Sequence, residues 1–209
     1  MTNNQKKVAE FMRISGQLVA NEPRELTKEE YDFRDTLLRE EIRELQYAIV
    51  DNNRVEILDA LCDIKYVNDG TANMMGVGID DDWEIENYGF SRRLTNEEKV
   101  EISTGLQHEI SQLTWNMVID INSCVFDLAY CFGFTLENFK TALDRVHESN
   151  MSKFCLDTKT VERTQEFYKK QGIDTYVEPK EKVTVVYREG DGKVLKSINY
   201  HPVYLEDLV

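Results

Sequence analysis

Apolar side chains recur at three- and four-residue steps along most of this chain, so helices are the elements it predicts. Val8, Phe11, Met12, Leu18 and Val19, with Ser15 among them, predict a first helix over 5–20. It stops before Asn21-Glu22-Pro23 and serves as a packing helix or a lid. Thr27 followed three residues later by Glu30 is a capping box, so a second helix starts there and runs to Val50. Asp51-Asn52-Asn53 turns the chain, and a third helix begins near Asn53 and loses regularity around Gly70, Gly76 and Gly78. Nine apolar residues between Val55 and Val67 lie around every side of that helix, which predicts its burial.

Asp80-Asp81-Asp82 opens a polar connection whose Trp83, Tyr88 and Phe90 cover the core or line a pocket. A second capping box, Thr95 with Glu98, leads into a stripe of Ile102, Leu106, Ile110, Leu113, Met117, Ile121, Val125 and Leu128 that reads as one long core helix. Gly133 ends it, Thr135 caps the next, and Leu136, Phe139, Leu143 and Val146 carry that helix to about Asn150. Beyond it the pattern changes. Residues 157–182 are rich in charge, with a short amphipathic helix over Val161 to Gln171 and Gly172 as its stop, and read as an insertion. From Val183 onward, alternation around Gly190-Asp191-Gly192 predicts two short strands. No internal repeat, low-complexity tract or second core interrupts this plan, so 1–155 reads as an all-α core and 156–209 as a charged insertion and C-terminal hairpin completing the same domain.

The polar positions of the second and third helices carry the chemistry. At about 100° per residue, Glu40, Glu41 and Glu44 share an arc of about 100°, and Glu56, Asp59 and Asp63 one of about 60°. The first cluster shares its face with Phe33, Leu37 and Ala48, and the second sits on an apolar helix, so both are expected to look inward. The turn at 51–53 makes the helices antiparallel and brings the clusters together. Carboxylates in such surroundings are protonated, paired or bound to a cation. Arg54 and Lys65 lie on other faces, which leaves a cation as the simplest remedy.

Composition narrows the function. With 209 residues, 41% of them hydrophobic, the chain buries a real core, and a formal charge of -14 argues against a general nucleic-acid binder. Cys62, Cys124, Cys131 and Cys155 show no CxxC spacing and read as reduced thiols. No stretch is apolar enough to span a bilayer, so a cytoplasmic protein is expected, in a host's cytoplasm if a phage encodes it.

Two adjacent glutamates, a third three residues on, a gap, and a glutamate three residues before an aspartate (Glu40, Glu41, Glu44, Glu56, Asp59) resemble the all-α nucleoside triphosphate pyrophosphohydrolase superfamily, which includes the MazG proteins, dimeric dUTPases and phosphoribosyl-ATP pyrophosphohydrolases. Asp59 to Gly76 (DALCDIKYVNDGTANMMG), Arg145 to Lys153 (RVHESNMSK), and Tyr187 to Pro202 with YREGDGKVLK and NYHP are similar to its phage-type branch. The resemblance covers 8–155 and about 187–204. The chain departs from it in a short gap between Glu44 and Glu56, in the extra residues 157–182, and in Ser197-Ile198 where Gly-Pro is usual after the late lysine.

The resemblance implies a MazG-like helical bundle with a small C-terminal β-hairpin appendage. It also implies cleavage of a nucleoside triphosphate between its α and β phosphates. Glu41, Glu44, Glu56 and Asp59 would bind Mg2+, with Mn2+ as the substitute; Glu40 would hold a second ion or orient the attacking water, so Glu40 and Glu41 are the catalytic candidates, and Asp63 is a weaker one. Lys153, Lys193 and Lys196, with Arg145 as a further cation, would meet the phosphates, Asn150 would bond base or sugar, and Tyr187 would stack. His147 reads as structural. Purine deoxynucleotides, dATP or dGTP, are the implied substrates. A homo-oligomer is implied too, dimer or tetramer, with the C-terminal hairpin reaching a neighbouring subunit's site and no nucleic acid or membrane as partner. Two other readings compete: an acidic DNA mimic that inhibits a host protein without catalysis, and a di-iron bundle, which needs Glu-x-x-His pairs that this chain lacks.

Overall fold

The computed structural model describes residues 1–79 and 114–209, together with Thr95, Glu97, Glu98, Val100, Glu101, Thr104 and Gly105. Among these are six α-helices, α1 (Asn3–Ile14), α2 (Lys28–Val50), α3 (Arg54–Met75), α4 (Trp115–Cys131), α5 (Leu136–Met151) and α6 (Thr158–Lys170), followed by strands β1 (Thr175–Pro179) and β2 (Thr184–Arg188) and a 3-10 turn, Glu206–Leu208. The fold is an all-α bundle with a small antiparallel hairpin near its C-terminus.

Helix α3 is the hub, packed against α1, α2, α4 and α5. Its apolar circumference is the reason: Ile57, Leu58, Leu61, Cys62 and Ile64 are all buried, so every side needs a neighbour. Two charges go inside with them. Lys65 and Asp69, one turn apart, pair at 2.6 Å with both side chains buried, and the Asn4 side-chain amide donates to Asp69. The third helix ends at Gly76, in left-handed conformation at φ +68°, where a Cβ would collide with the Glu22 carbonyl. That collision partner belongs to the segment after α1, which runs back along the end of α3 through Ala20 N to Asn73 O (2.9 Å) and Arg24 N to Met75 O (2.9 Å).

The first helix is shifted from its predicted span of 5–20. Thr2 and Gln5 form a capping box that starts it earlier, and Gly16, at φ +71°, ends it earlier, leaving Leu18 and Val19 in the returning segment. The second begins where expected, with Glu30 N donating to Thr27 Oγ1 at 3.3 Å and Thr27 N to Glu30 Oε2 at 2.8 Å. Thr27→Ala is expected to lower unfolding free energy by about 1 kcal/mol in a urea titration, the usual worth of such a cap.

The capping box at Thr95 and Glu98 is present, but the single long helix after it is not. Thr114 is extended (φ -100°, ψ 167°) and α4 starts at Trp115. A stripe at three- and four-residue steps is the same whether one helix or two face the core. Ile102, Leu106, Ile110 and Leu113 lie outside the described residues, as does the connection with Trp83, Tyr88 and Phe90.

The hairpin also differs from expectation. The strand Thr184–Arg188 pairs with β1, from within the charged 157–182 stretch, in the register Tyr176 to Tyr187. After the Gly190-Asp191-Gly192 reversal the chain makes only a single bridge, Tyr187 to Val194. Helix α6 covers one side of this hairpin, with Val161, Val186, Leu195 and Cys155 forming a small core of their own. Phe154, Val185 and Tyr187 pack beside Phe11 and Ile14, which fixes the appendage to α1.

Candidate active site

A cavity of about 830 Å³ opens between the α2–α3 hairpin, α1, α5 and the C-terminal segment. The hairpin is set by the tight turn: Asn52 takes the left-handed conformation (φ 51°) and the Asn53 side chain caps α3 by accepting from Glu56 N at 3.3 Å. Antiparallel packing then brings Glu41 opposite Asp59 and Asp63. Glu40, Glu41, Asp59 and Asp63 all line the cavity, and so do Asn150, Lys153, Lys193 and Lys196.

The acids differ in depth. Glu40, Glu44 and Glu56 are exposed, whereas Glu41, Asp59 and Asp63 are half-buried. The expectation that both clusters point inward therefore holds for three of the six, because a helix that lies at the rim of a cavity turns only part of an acid arc toward it. Glu44 and Glu56 lie outside the cavity lining, yet both act on the half-buried acids. Burial, then Glu44, Glu40 and Asp59, push Glu41 up to about 7. Burial, then Glu56 and Glu44, push Asp59 up to about 6. Asp63 is pushed well above the ordinary carboxylate range by burial, Glu41 and Asp59, against the pull of Lys153. The neighbouring Cys62 thiol is raised by burial and by Asp63 and Asp59.

No ion pair or hydrogen bond engages the side chains of Glu41, Asp59 or Asp63 among the described residues. Nor, among the described residues, do any three His, Cys, Asp or Glu side chains come close enough together to hold a metal ion as they stand. The acids instead crowd one another, with Lys153 acting on Glu41 and Asp63 from a distance and pairing with neither. An all-oxygen, multiply anionic donor set of this kind fits a hard divalent cation such as Mg2+ or Mn2+, which keeps several waters and takes few protein ligands.

Opposite the acids stand the cations. Lys153, at the end of α5, donates to Asn150 Oδ1 at 2.5 Å. Burial lowers its pKa, Asp63 and Glu41 raise it in part, and Lys196 and Lys193 add to the lowering. Lys193 and Lys196 reach the cavity because the C-terminal segment is tied back to α5. Cys155 and Thr184 exchange backbone bonds at 2.9 and 2.8 Å, and Ser197 N donates to Lys153 O at 3.0 Å. Ser197 is buried and Ile198 N donates to Thr164 Oγ1 at 3.1 Å, so this pair holds the segment closed by side-chain and backbone bonds. In this chain the C-terminal segment lines the chain's own cavity.

Two sequence candidates, Tyr187 and Arg145, lie elsewhere. Tyr187 is buried and stacks on Tyr176 with ring centroids 5.0 Å apart, so it packs the appendage. Arg145 grips Asp207 with both terminal nitrogens and donates to Tyr204 O at 2.9 Å, anchoring the final turn. His147 Nδ1 lies 3.0 Å from the Tyr66 hydroxyl, as a structural histidine would. The structure adds Arg34, Phe33 and the Arg188–Asp191 pair to the cavity wall. The spacing of Arg34 seven residues before Glu41, on one helical face, was the available signal.

Residues 8–87 match the model of the phosphoribosyl-ATP pyrophosphohydrolase family, a span that contains both acid clusters and ends before the lysines. The chain is also similar to the uncharacterized protein L479 of Acanthamoeba polyphaga mimivirus, 28% identical over 210 residues that cover 85% of this chain and 82% of that protein. No solved structure matches this chain.

Proposed function

We propose that residues 8–87, which match the phosphoribosyl-ATP pyrophosphohydrolase model, form a domain of the MazG-like nucleoside triphosphate pyrophosphohydrolase superfamily, and that this chain hydrolyses a nucleoside triphosphate, a purine deoxynucleotide foremost, between its α and β phosphates. The observation that carries this reading is the convergence of Glu41, Asp59 and Asp63, uncompensated by any partner among the described residues, with Lys153, Lys193 and Lys196 around one cavity.

Glu41 and Asp59 would hold a divalent cation from the cavity wall, with Asp63 and Glu40 beside them, and Glu44 and Glu56, exposed outside the lining, would have to turn inward to join them. Such a cation neutralises charge developing on the phosphates and acidifies a water. The rest of the work falls to the chain. The three lysines bind the β and γ phosphates and offset the repulsion that a protein of net charge -14 exerts on a triphosphate. Asn150, held by Lys153, orients the sugar or base. Glu40 takes a proton from the water as its oxygen bonds to the α phosphorus. The bond from that phosphorus to the bridging oxygen breaks, and pyrophosphate leaves with the bonding electron pair. A DNA mimic would spread its acids over solvent faces, whereas Glu41, Asp59 and Asp63 face a cavity.

The test is product analysis with each dNTP and NTP in the presence of Mg2+ or Mn2+. Monophosphate and pyrophosphate in equal amounts are expected. Orthophosphate as first product, or no turnover with any nucleotide, overturns the reading.

A further inference from the structure

Arg34 is a cation folded into the interior without a counter-charge. It is 3% exposed, it lines the cavity, and no carboxylate pairs with it among the described residues. A guanidinium has five N–H donors. Nε donates to Thr71 Oγ1 at 3.1 Å, Nη2 donates to the Val67 carbonyl, and Nη1 reaches Gln17 Oε1 only at 3.5 Å. Two donors are left over. An uncompensated buried charge is destabilising, and burial accordingly pulls Arg34 down to about 10. The fold nevertheless keeps space for it: a Cβ at Gly70 would collide with Nη2, so α3 carries a glycine where the guanidinium lies against its backbone.

Its position relative to the acids is set by helix geometry. Arg34 precedes Glu41 by seven residues on α2, and Gly70 follows Asp63 by seven on α3, so the two ends of the cavity are about 10 Å apart at 1.5 Å rise per residue. That separation suits a nucleotide with its phosphates among the acids and lysines and its base at Arg34. One aromatic side chain flanks this second end. Phe33 is 47% exposed, lines the cavity and has its ring centroid 5.9 Å from the Arg34 guanidinium carbon, whereas Phe11, its ring centroid 5.8 Å from Lys153 Nζ, and Tyr66 beside it line the cavity toward the lysine.

We propose that Arg34 selects the base, donating its free N–H groups to O6 and N7 of guanine or another 6-oxopurine, an inference that rests on the pyrophosphohydrolase reading above. Arginine meets guanine in this bidentate way because both ring-edge atoms are acceptors, while adenine sets an amino donor beside N7. The cluster of three lysines at the other end leaves the phosphates already provided for.

Pyrophosphate release is measured with wild-type protein and Mg2+ on dGTP, dATP, 7-deaza-dGTP, which lacks N7, and 2-aminopurine deoxyribonucleoside triphosphate, which lacks O6. The value of kcat/KM for dGTP is expected to exceed each of the others by about 5- to 100-fold, the discrimination a bidentate contact supplies. Arg34→Gln should lose that preference and lean toward dATP, since an amide pairs with N6 and N7 of adenine. Turnover of dATP or the analogues as well as dGTP overturns the assignment while leaving the hydrolase reading intact. So does an Arg34→Gln protein whose rate falls by one factor for every nucleotide, which would place a phosphate at Arg34. If Arg34→Gln does not fold, the analogue series on wild type decides alone. No pyrophosphate from any nucleotide removes the hydrolase reading and this one with it.

Discussion

Glu41→Gln is expected to lower turnover on the order of 100-fold or more, while leaving the fold intact. The side chain keeps its shape and hydrogen-bonding capacity and loses one charge. Loss of even an outer partner of a metal ligand costs about 10- to 100-fold, and Glu41 faces the acids directly across the cavity. The metal-free variant should melt at or above the wild-type temperature. Glu41 is held up to about 7 by burial, Glu44, Glu40 and Asp59, and it in turn raises Asp63. Removing it relieves a like-charge repulsion in the native state. Addition of Mg2+ should then stabilise wild type by mass action, about 2.7 kcal/mol at a hundredfold excess over Kd, and the variant much less. Equal responses of the two proteins to Mg2+ would show that Glu41 is no ligand and would move the metal away from this hairpin.

Metal-free protein should also lose stability as pH rises from about 5 to 7.5, the reverse of the usual behaviour of carboxylates. Glu41 is raised to about 7 and Asp59 to about 6 in the native state. In this window the folded chain binds more protons than the unfolded one, so stability falls with pH. The contribution is full below the ordinary carboxylate range, is lost as pH passes through the raised values, and is gone above them. Both groups retain some contact with cavity water, so a discounted loss on the order of 2 kcal/mol is expected, or about 5 °C in melting temperature for a chain of this size. Carboxylates with lowered pKa, such as Asp191 beside Arg188, at about 2, and Glu30 beside Arg24, act at lower pH, while within the window Asp127, raised by burial to about 6, adds to the loss and His147, lowered by burial, opposes it. Mg2+ added at pH 7.5 should reverse the loss, since it binds the deprotonated acids. Thermal melts in EDTA across pH 5 to 7.5 are the measurement, and a flat or rising melting temperature contradicts the crowding of Glu41 and Asp59.

Much of this was legible without coordinates where local chemistry decides. The capping boxes at Thr27 and Thr95, the turn at 51–53 and the apolar girth of α3 each depend on residues within one or two turns of one another, and each stands in the fold. The two acid arcs belong to the same class, since helical periodicity fixes direction around an axis. Periodicity says nothing about depth, which depends on what packs opposite. Only the packed structure made Asp63, the weaker candidate by sequence, a half-buried wall of the cavity and left Glu56 exposed at the first turn of α3. Long-range pairing is silent in the same way. The partner of Thr184–Arg188 is Thr175–Pro179, across Lys180 to Val183, because its register buries Val185, Val186 and Tyr187 together. Arg34 depends most on the fold, for a lone arginine on an acidic helix reads as solvated surface. It became a buried, unneutralised cation only when Gly70, two turns beyond Asp63 on the facing helix, left room for it.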